Sequence, residues 1–129
     1  MHFAIEVVPF GDYANPRHVV PLAQTAEAAG WDGLFIWDHL AFAWGMPSAD
    51  PWVTLAAVAQ ATERLRLATF VTPLPRRRPQ VLAHTLATLD LLSQGRLIFG
   101  AGLGGMPQEF AAFGEADDAR TRAARLDEG

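Results

Sequence analysis

"RLIFGAGLGG", residues 96–105, decides between two folds. An apolar run leads into Gly100-x-Gly102-x-x-Gly105, the spacing of a dinucleotide fingerprint, and "PQEFAAFG" behind it starts as a helix. A dinucleotide-binding turn belongs after the first strand of its domain. It also needs an acidic residue about 20 positions on, at the end of the next strand. Here three strand-like segments come before the glycines: "HFAIEVV" (2–8), "GLFIW" (33–37) and "LRLATFV" (65–71). Each is short and rich in β-branched or aromatic residues. The acids behind the glycines, Asp117 and Asp118, have no further strand to carry them. Position therefore predicts a structural glycine turn closing a fourth strand (96–100). A small doubly wound, nicotinamide-binding domain is the alternative.

The segments between these strands read as helices. Asn15 is an N-cap, Pro16 stands at the first helical position and Gly30 is the stop; Val19, Leu22, Ala23 and Ala26 form an apolar stripe. Asp50 and Pro51 start a second helix with Leu55, Val58 and Ala59 on one face. Pro79 starts a third, striped by Leu82, Thr85, Leu86 and Leu89 and ending near Gly95. "DARTRAARLDEG" opens one more, with Arg120, Ala124 and Leu126 in its period. Strand starts fall near 3, 33, 66 and 96, a repeat of about 30 residues. Strand–helix alternation predicts an α/β fold of parallel strands joined by right-handed crossovers. An eightfold TIM-type (β/α)8 barrel of roughly 250 residues spends about 31 residues per unit. Four such units are half a barrel in a single domain over 1–129. The open edges of four parallel strands read as a truncated chain, a fragment, or a half that pairs with another copy. A complete four-unit open sheet is the plainer alternative.

Composition narrows the function. The chain has 129 residues, is 50% hydrophobic and holds eight phenylalanines and four tryptophans, enough for a real core. It has no cysteine, which excludes disulfides, thiol catalysis and cysteine-based zinc sites. A net charge of -4 gives no nucleic-acid footprint. No run of about 18 apolar residues is present to cross a membrane. The N-terminus has no basic segment leading an apolar one, so a cytoplasmic location is expected. No pair of histidines or carboxylates has metal-ligand spacing.

Three segments are candidates for chemistry. "LFIWDHLAFAWG" (34–45) ends a buried strand in Asp38 and His39, and active sites of parallel α/β folds lie at the C-terminal strand ends. A histidine titrates near neutrality, and a carboxylate can orient it. Neighbours on a strand point to opposite faces, so Asp38 need not touch His39. The bland reading is a loop histidine beside an N-cap-like aspartate. Phe42, Trp44 and Trp52 either wall a pocket for a flat ligand or lid the core. "TFVTPLPRRRP" (69–79) sets Arg76, Arg77 and Arg78 before a helix N-terminus. That suits an anion, or is a solvated loop. The glycine turn is the third: glycine lets backbone approach a ligand, or simply turns tightly.

"AEAAGWDGLFIWDHL", "TPLPRRRPQVLAHTLATLDLLSQGRLIFGAGLGG" and "EFAAFGEADDARTRAARLDEG" together resemble the luciferase-like flavin and deazaflavin oxidoreductases. The likeness runs over almost the whole chain, with separated motifs in the same order and spacing. That family is built on an eightfold barrel of roughly twice this length, so the resemblance implies its N-terminal half. It implies FMN or coenzyme F-420 as cofactor, and monooxygenase or hydride-transfer chemistry on a small organic substrate. It sets Asp38 and His39 at the barrel mouth as catalytic candidates, His39 as proton shuttle or polar partner and Asp38 as its orienter or a cofactor contact. It implies a non-proline cis peptide at Thr69–Phe70 behind the ring, with Thr72 facing the cofactor. Gly102 and Gly104 would bring backbone near it. Some sugar-phosphate dehydrogenases of the family carry a glutamate just after these glycines; Gly105 stands there in this chain, and Glu109 one turn later reads as serving a helix N-terminus. A homodimer is expected, with no nucleic acid and no membrane. An inactive half-barrel that serves as an assembly module is the non-enzymatic alternative.

Overall fold

The computed structural model describes residues 1–40 and 44–129. Phe42 lies outside the described residues, and so does its expected place in a pocket wall. Four strands, β1 (Ala4–Val7), β2 (Gly33–Ile36), β3 (Arg66–Pro73) and β4 (Leu97–Gly102), form one sheet. Every pairing is parallel. Helices α1 (Pro16–Ala28), α2 (Pro51–Ala61) and α3 (Pro79–Leu92) connect them; α4 (Gln108–Ala111) and α5 (Ala119–Glu128) follow β4. The helix starts form as their sequences dictate. Asn15 accepts from the Arg17 N–H and Asp50 from the Val53 N–H, with a proline in the first turn of each helix.

Strand order settles the choice of fold. The strands neighbour one another as β1-β2-β3-β4, in chain order. A doubly wound sheet reverses its order at a switch point and covers both faces. Here α1 packs on α2 and α2 on α3, in a single layer. Val7, Leu34, Ile36 and Leu67 face that layer and are buried with Val19, Ala23, Leu55, Val58, Leu82 and Leu89. Each valine, leucine and isoleucine among them contributes about 1.5–3 kcal/mol over leaving it exposed. The alternate positions Glu6, Arg66, Phe70 and Ile98 are exposed, and Phe35 stacks on Phe70 with ring centroids 6.2 Å apart. One clad face and one bare face, in sequential order, make the inner and outer surfaces of a (β/α) half-barrel. The nicotinamide reading fails on this order, because the glycines follow the edge strand and not a switch point.

β3 departs from regular alternation. Thr69 pairs with Phe99 but Thr72 with Ala101, so three steps on β3 oppose two on β4. The extra residue flips the phase of the strand. In a regular strand Thr69 and Thr72 would point to opposite faces. Here both are fully buried and their hydroxyls are 2.7 Å apart. Phe70 and Val71 take the open face instead. The cis peptide is Phe70–Val71, one bond beyond the expected Thr69–Phe70, because Thr69 still holds its ladder partner and the irregularity starts after it.

The glycines of β4 answer this bulge. A Cβ on Gly100 would stand 2.7 Å from the Thr69 carbonyl oxygen, and one on Gly102 would stand 2.4 Å from Cγ2 of Val71. At Gly104 φ is +86° and a Cβ would meet the Phe110 ring and Pro73 at 3.1 Å. Gly105 has open space around it. Packing against β3 thus accounts for Gly100 and Gly102, while the third glycine of the fingerprint, Gly105, packs on nothing.

α5 packs on the rest of the unit. It lies against the 3-10 turn Leu74–Arg76, with Leu126 half-buried and Arg122 buried. Among the described residues no helix is long and apolar enough to cross a membrane. Gly102→Ala is expected to destabilise the fold by about 1–3 kcal/mol through overpacking, while Gly105→Ala leaves it nearly unchanged. Urea unfolding of the two variants checks the contrast.

Candidate active site at the mouth of the half-barrel

Asp38 and His39 follow β2 at its C-terminal end, as their place in the repeat demands. Their side chains part company there. The Asp38 carboxylate is 1% exposed and turns to the loop between β3 and α3. Arg77 grips it through Nη2, at 2.6 Å from Oδ1 and 2.7 Å from Oδ2, with Nε 3.2 Å from Oδ2. Arg76 donates through Nη2 to Asp38 Oδ1 and to the Asp38 carbonyl, both at 2.8 Å. The anion that Arg76 and Arg77 bind is therefore the chain's own, while Arg78 is exposed.

The carboxylate beside His39 belongs to Glu109. The His39 Nδ1 stands 3.2 Å from each of its oxygens, so the expected orienter, Asp38, is replaced in that position. The Leu40 N–H donates to Glu109 Oε1 at 2.5 Å, and Arg76 Nη1 donates to Oε2. Glu109 is 1% exposed. Burial alone raises the pKa of such a carboxyl; the His39 hydrogen bond, the Arg76 charge and the Leu40 N–H outweigh it and hold Glu109 below its ordinary value. Far from merely serving a helix N-terminus, this residue ties α4 to the loop after β2.

α4 is a single turn, and tertiary contacts hold it. Phe110 is fully buried beneath Gly104, with the Arg122 guanidinium 5.2 Å above its ring. Arg122 also donates to the Gly104 carbonyl. The β4 exit turn, α4 and α5 are thus one packed unit that presents Glu109 to His39.

Around His39 the rings of Trp37, Trp44 and Phe10 stand edge-on at 5.6, 6.4 and 6.5 Å. Trp44 is exposed and walls the site. Trp52 does not: it is buried in the helix layer, with Phe99 6.4 Å away. The His39 side chain remains 22% exposed beside a cleft of about 270 Å³ bounded by Asp38, Ala49, Asp50, Arg76 and Arg77. Of the expected cofactor contacts, Phe70 lies on the open face, whereas Thr69 is buried on the helix side in step with Leu67 and the bulge brings Thr72 to that same side. Gly102 and Gly104 are at the strand end, with their Cβ positions already filled by Val71 and Phe110.

Residues 2–129 match the model of the luciferase-like monooxygenase family. The chain belongs to that family. It is 39% identical over 119 residues to an F420-dependent glucose-6-phosphate dehydrogenase of Amycolatopsis mediterranei, covering 88% of this chain and 35% of that protein. It is 31% identical over 137 residues to the 4-hydroxyprotoasukamycin monooxygenase of Streptomyces nodosus, covering 95% and 37%. Among solved structures, monooxygenase RslO1 from Streptomyces bottropensis superposes with a TM-score of 0.85 at 36% identity, over 99% of this chain and 40% of that one. An F420-dependent secondary alcohol dehydrogenase in complex with an F420–acetone adduct gives 0.84 at 26% identity, over 98% and 39%. The chain spans about a third of the length of the curated relatives it matches.

Because its folded pKa is lowered, Glu109 adds stability above its ordinary value of 4.5 and loses it as pH falls through the folded value. Glu109→Gln is expected to cost about 1.5–3 kcal/mol at neutral pH. The gap between variant and wild type should close on acidification. Chemical unfolding at a series of pH values reads this directly, with Glu27, Asp32 and Asp118, also lowered, adding slope of the same sign to both proteins.

Proposed function

We propose that this chain is the N-terminal half of the barrel of a flavin- or deazaflavin-dependent oxidoreductase, in which His39 exchanges a proton with a small organic substrate. The observation that carries it is the place of His39. It stands at the C-terminal end of β2, partly exposed, its ring gripped by a buried carboxylate, and it borders the bare sheet face. Phe70 and Val71 rise on that face, and Phe35 stacks on Phe70. These apolar side chains, with a titratable group at their edge, suit a flat redox ring. When bound, FMN or coenzyme F-420 supplies the hydride or oxygen chemistry. The chain's own part is to orient the substrate against His39, exclude water with Trp37, Trp44 and Phe10, and hold the proton at the imidazole.

Coenzyme F-420 is favoured of the two cofactors. The names of several relatives at 36–39% identity specify F420-dependent glucose-6-phosphate dehydrogenation, and a structural neighbour holds an F420–acetone adduct. Glucose 6-phosphate itself is not the proposed substrate, because Gly105 stands where the family resemblance puts a glutamate. A secondary alcohol or its ketone fits a histidine proton site better. The bare sheet face is the surface that the remaining units of a barrel would close.

Titration with F-420 and with FMN, followed by cofactor fluorescence, tests the cofactor. Binding of either supports the reading; binding of neither overturns it. In a turnover assay of the cofactor-loaded enzyme, His39→Ala is expected to lower kcat by about 10²–10⁴-fold, the usual worth of a general acid–base group, with the native fold retained. Unchanged kcat would remove the proton-transfer role.

A further inference from the structure

Glu109 receives more donors than any simple capping role needs. Three converge on its two oxygens: His39 Nδ1, the Leu40 N–H and Arg76 Nη1. Arg76 reaches across to Asp38, whose other partner is Arg77. Two carboxylates are matched by two guanidiniums within one buried cluster. The Glu109 charge that faces His39 is therefore already compensated.

We propose that Glu109, held by Arg76, is a positioning residue that keeps His39 as the Nδ1–H tautomer and leaves Nε2 as the proton-exchanging atom. A carboxylate only accepts hydrogen bonds, so the His39 Nδ1 3.2 Å from both its oxygens must carry the proton. The tautomer of a histidine follows from what its other nitrogen meets. The lone pair then resides on Nε2. Arg76 completes the device by fixing the same carboxylate beside the ring. The charged groups facing His39 from the packed elements are Asp38 after β2, Arg76 and Arg77 before α3, Asp50 at the start of α2 across the cleft, and Glu109 on α4. The inference deepens the proposed role of His39 and rests on it, but its test does not use turnover.

Glu109→Gln inverts the hydrogen bonding. An amide offers one acceptor oxygen to the three donors and brings two N–H groups of its own. The Leu40 N–H and Arg76 donate to different oxygens of Glu109, so one of them keeps the amide oxygen and the amide nitrogen takes the other place, also beside His39, where its N–H is offered to Nδ1 as acceptor. The variant should hold His39 as the Nε2–H tautomer. Two-bond ¹H–¹⁵N NMR correlations of the His39 ring, assigned by their loss in His39→Ala, distinguish the tautomers in the protein without cofactor. The expected result is Nδ1–H in the wild type and Nε2–H in Glu109→Gln, with amide dispersion unchanged. An Nε2–H ring in the wild type overturns the proposal, and so does a tautomer that the variant leaves unaltered. Should Glu109→Gln fail to fold, the wild-type spectrum decides by itself. Because the readout is the ring nitrogen, His39→Ala without effect on kcat would sink the proton-transfer reading and leave this measurement standing.

Discussion

The guanidinium of Arg76 lies between two buried carboxylates, and the mouth of the half-barrel is organised by that position. It reaches Asp38 at the end of β2 and Glu109 on α4, while it is itself anchored in the turn after β3. Three segments far apart in the chain are held to one point. Removing a charge from water costs several kcal/mol, which its partners recover only with good geometry. A planar fork with five donors can serve two carboxylates and a carbonyl at once; a lysine ammonium cannot. A buried cluster of this kind tolerates few arrangements, because any lost partner leaves a charge stranded in low dielectric. That intolerance is what keeps His39 where it is, in a site otherwise made of a loop and one helical turn.

The second constraint is steric. The bulge in β3 turns Val71 toward β4, and the strand beside it can follow only if Gly100 and Gly102 have no side chains. Gly104 then turns the chain in a left-handed conformation over Phe110, with Arg122 bound to its carbonyl. The consequence reaches the site directly, since Phe110 and Glu109 are neighbours. Packing of glycine against a bulge on one side of α4 becomes placement of a carboxylate on the other.

Much of the fold was legible because it is local. Proline and Asx caps, glycine stops and stripes such as Val19, Ala23 and Ala26 announced each helix, and the 30-residue repeat announced parallel strands. Legibility stopped where alternation was broken. The resemblance set Thr72 toward a cofactor; regular alternation would part it from Thr69, and one extra residue buries the two together. The site was half visible. His39 stood at a strand end, where the repeat itself says that loops gather. Asp38 was adjacent in sequence and so an obvious partner, but adjacency on a strand sends side chains apart. Glu109 is 70 positions from His39, and nothing in its neighbourhood distinguishes it from a helix-starting acid except that Arg76 and Arg77 needed a partner. Three consecutive arginines before a helix were the available signal, and it left a bound anion and a solvated loop both open.

The sequence by itself determined the unit: strand, crossover helix, strand, repeated at constant pitch, with histidine and aspartate at one strand end and glycines at another. These follow from period, caps and turn chemistry, which act over a few residues. Only tertiary structure decided which carboxylate meets the histidine, which face of β3 its threonines take, and what the glycines are for. Each of those depends on where distant segments meet. A buried charge or an absent Cβ has meaning only against the atoms that close around it.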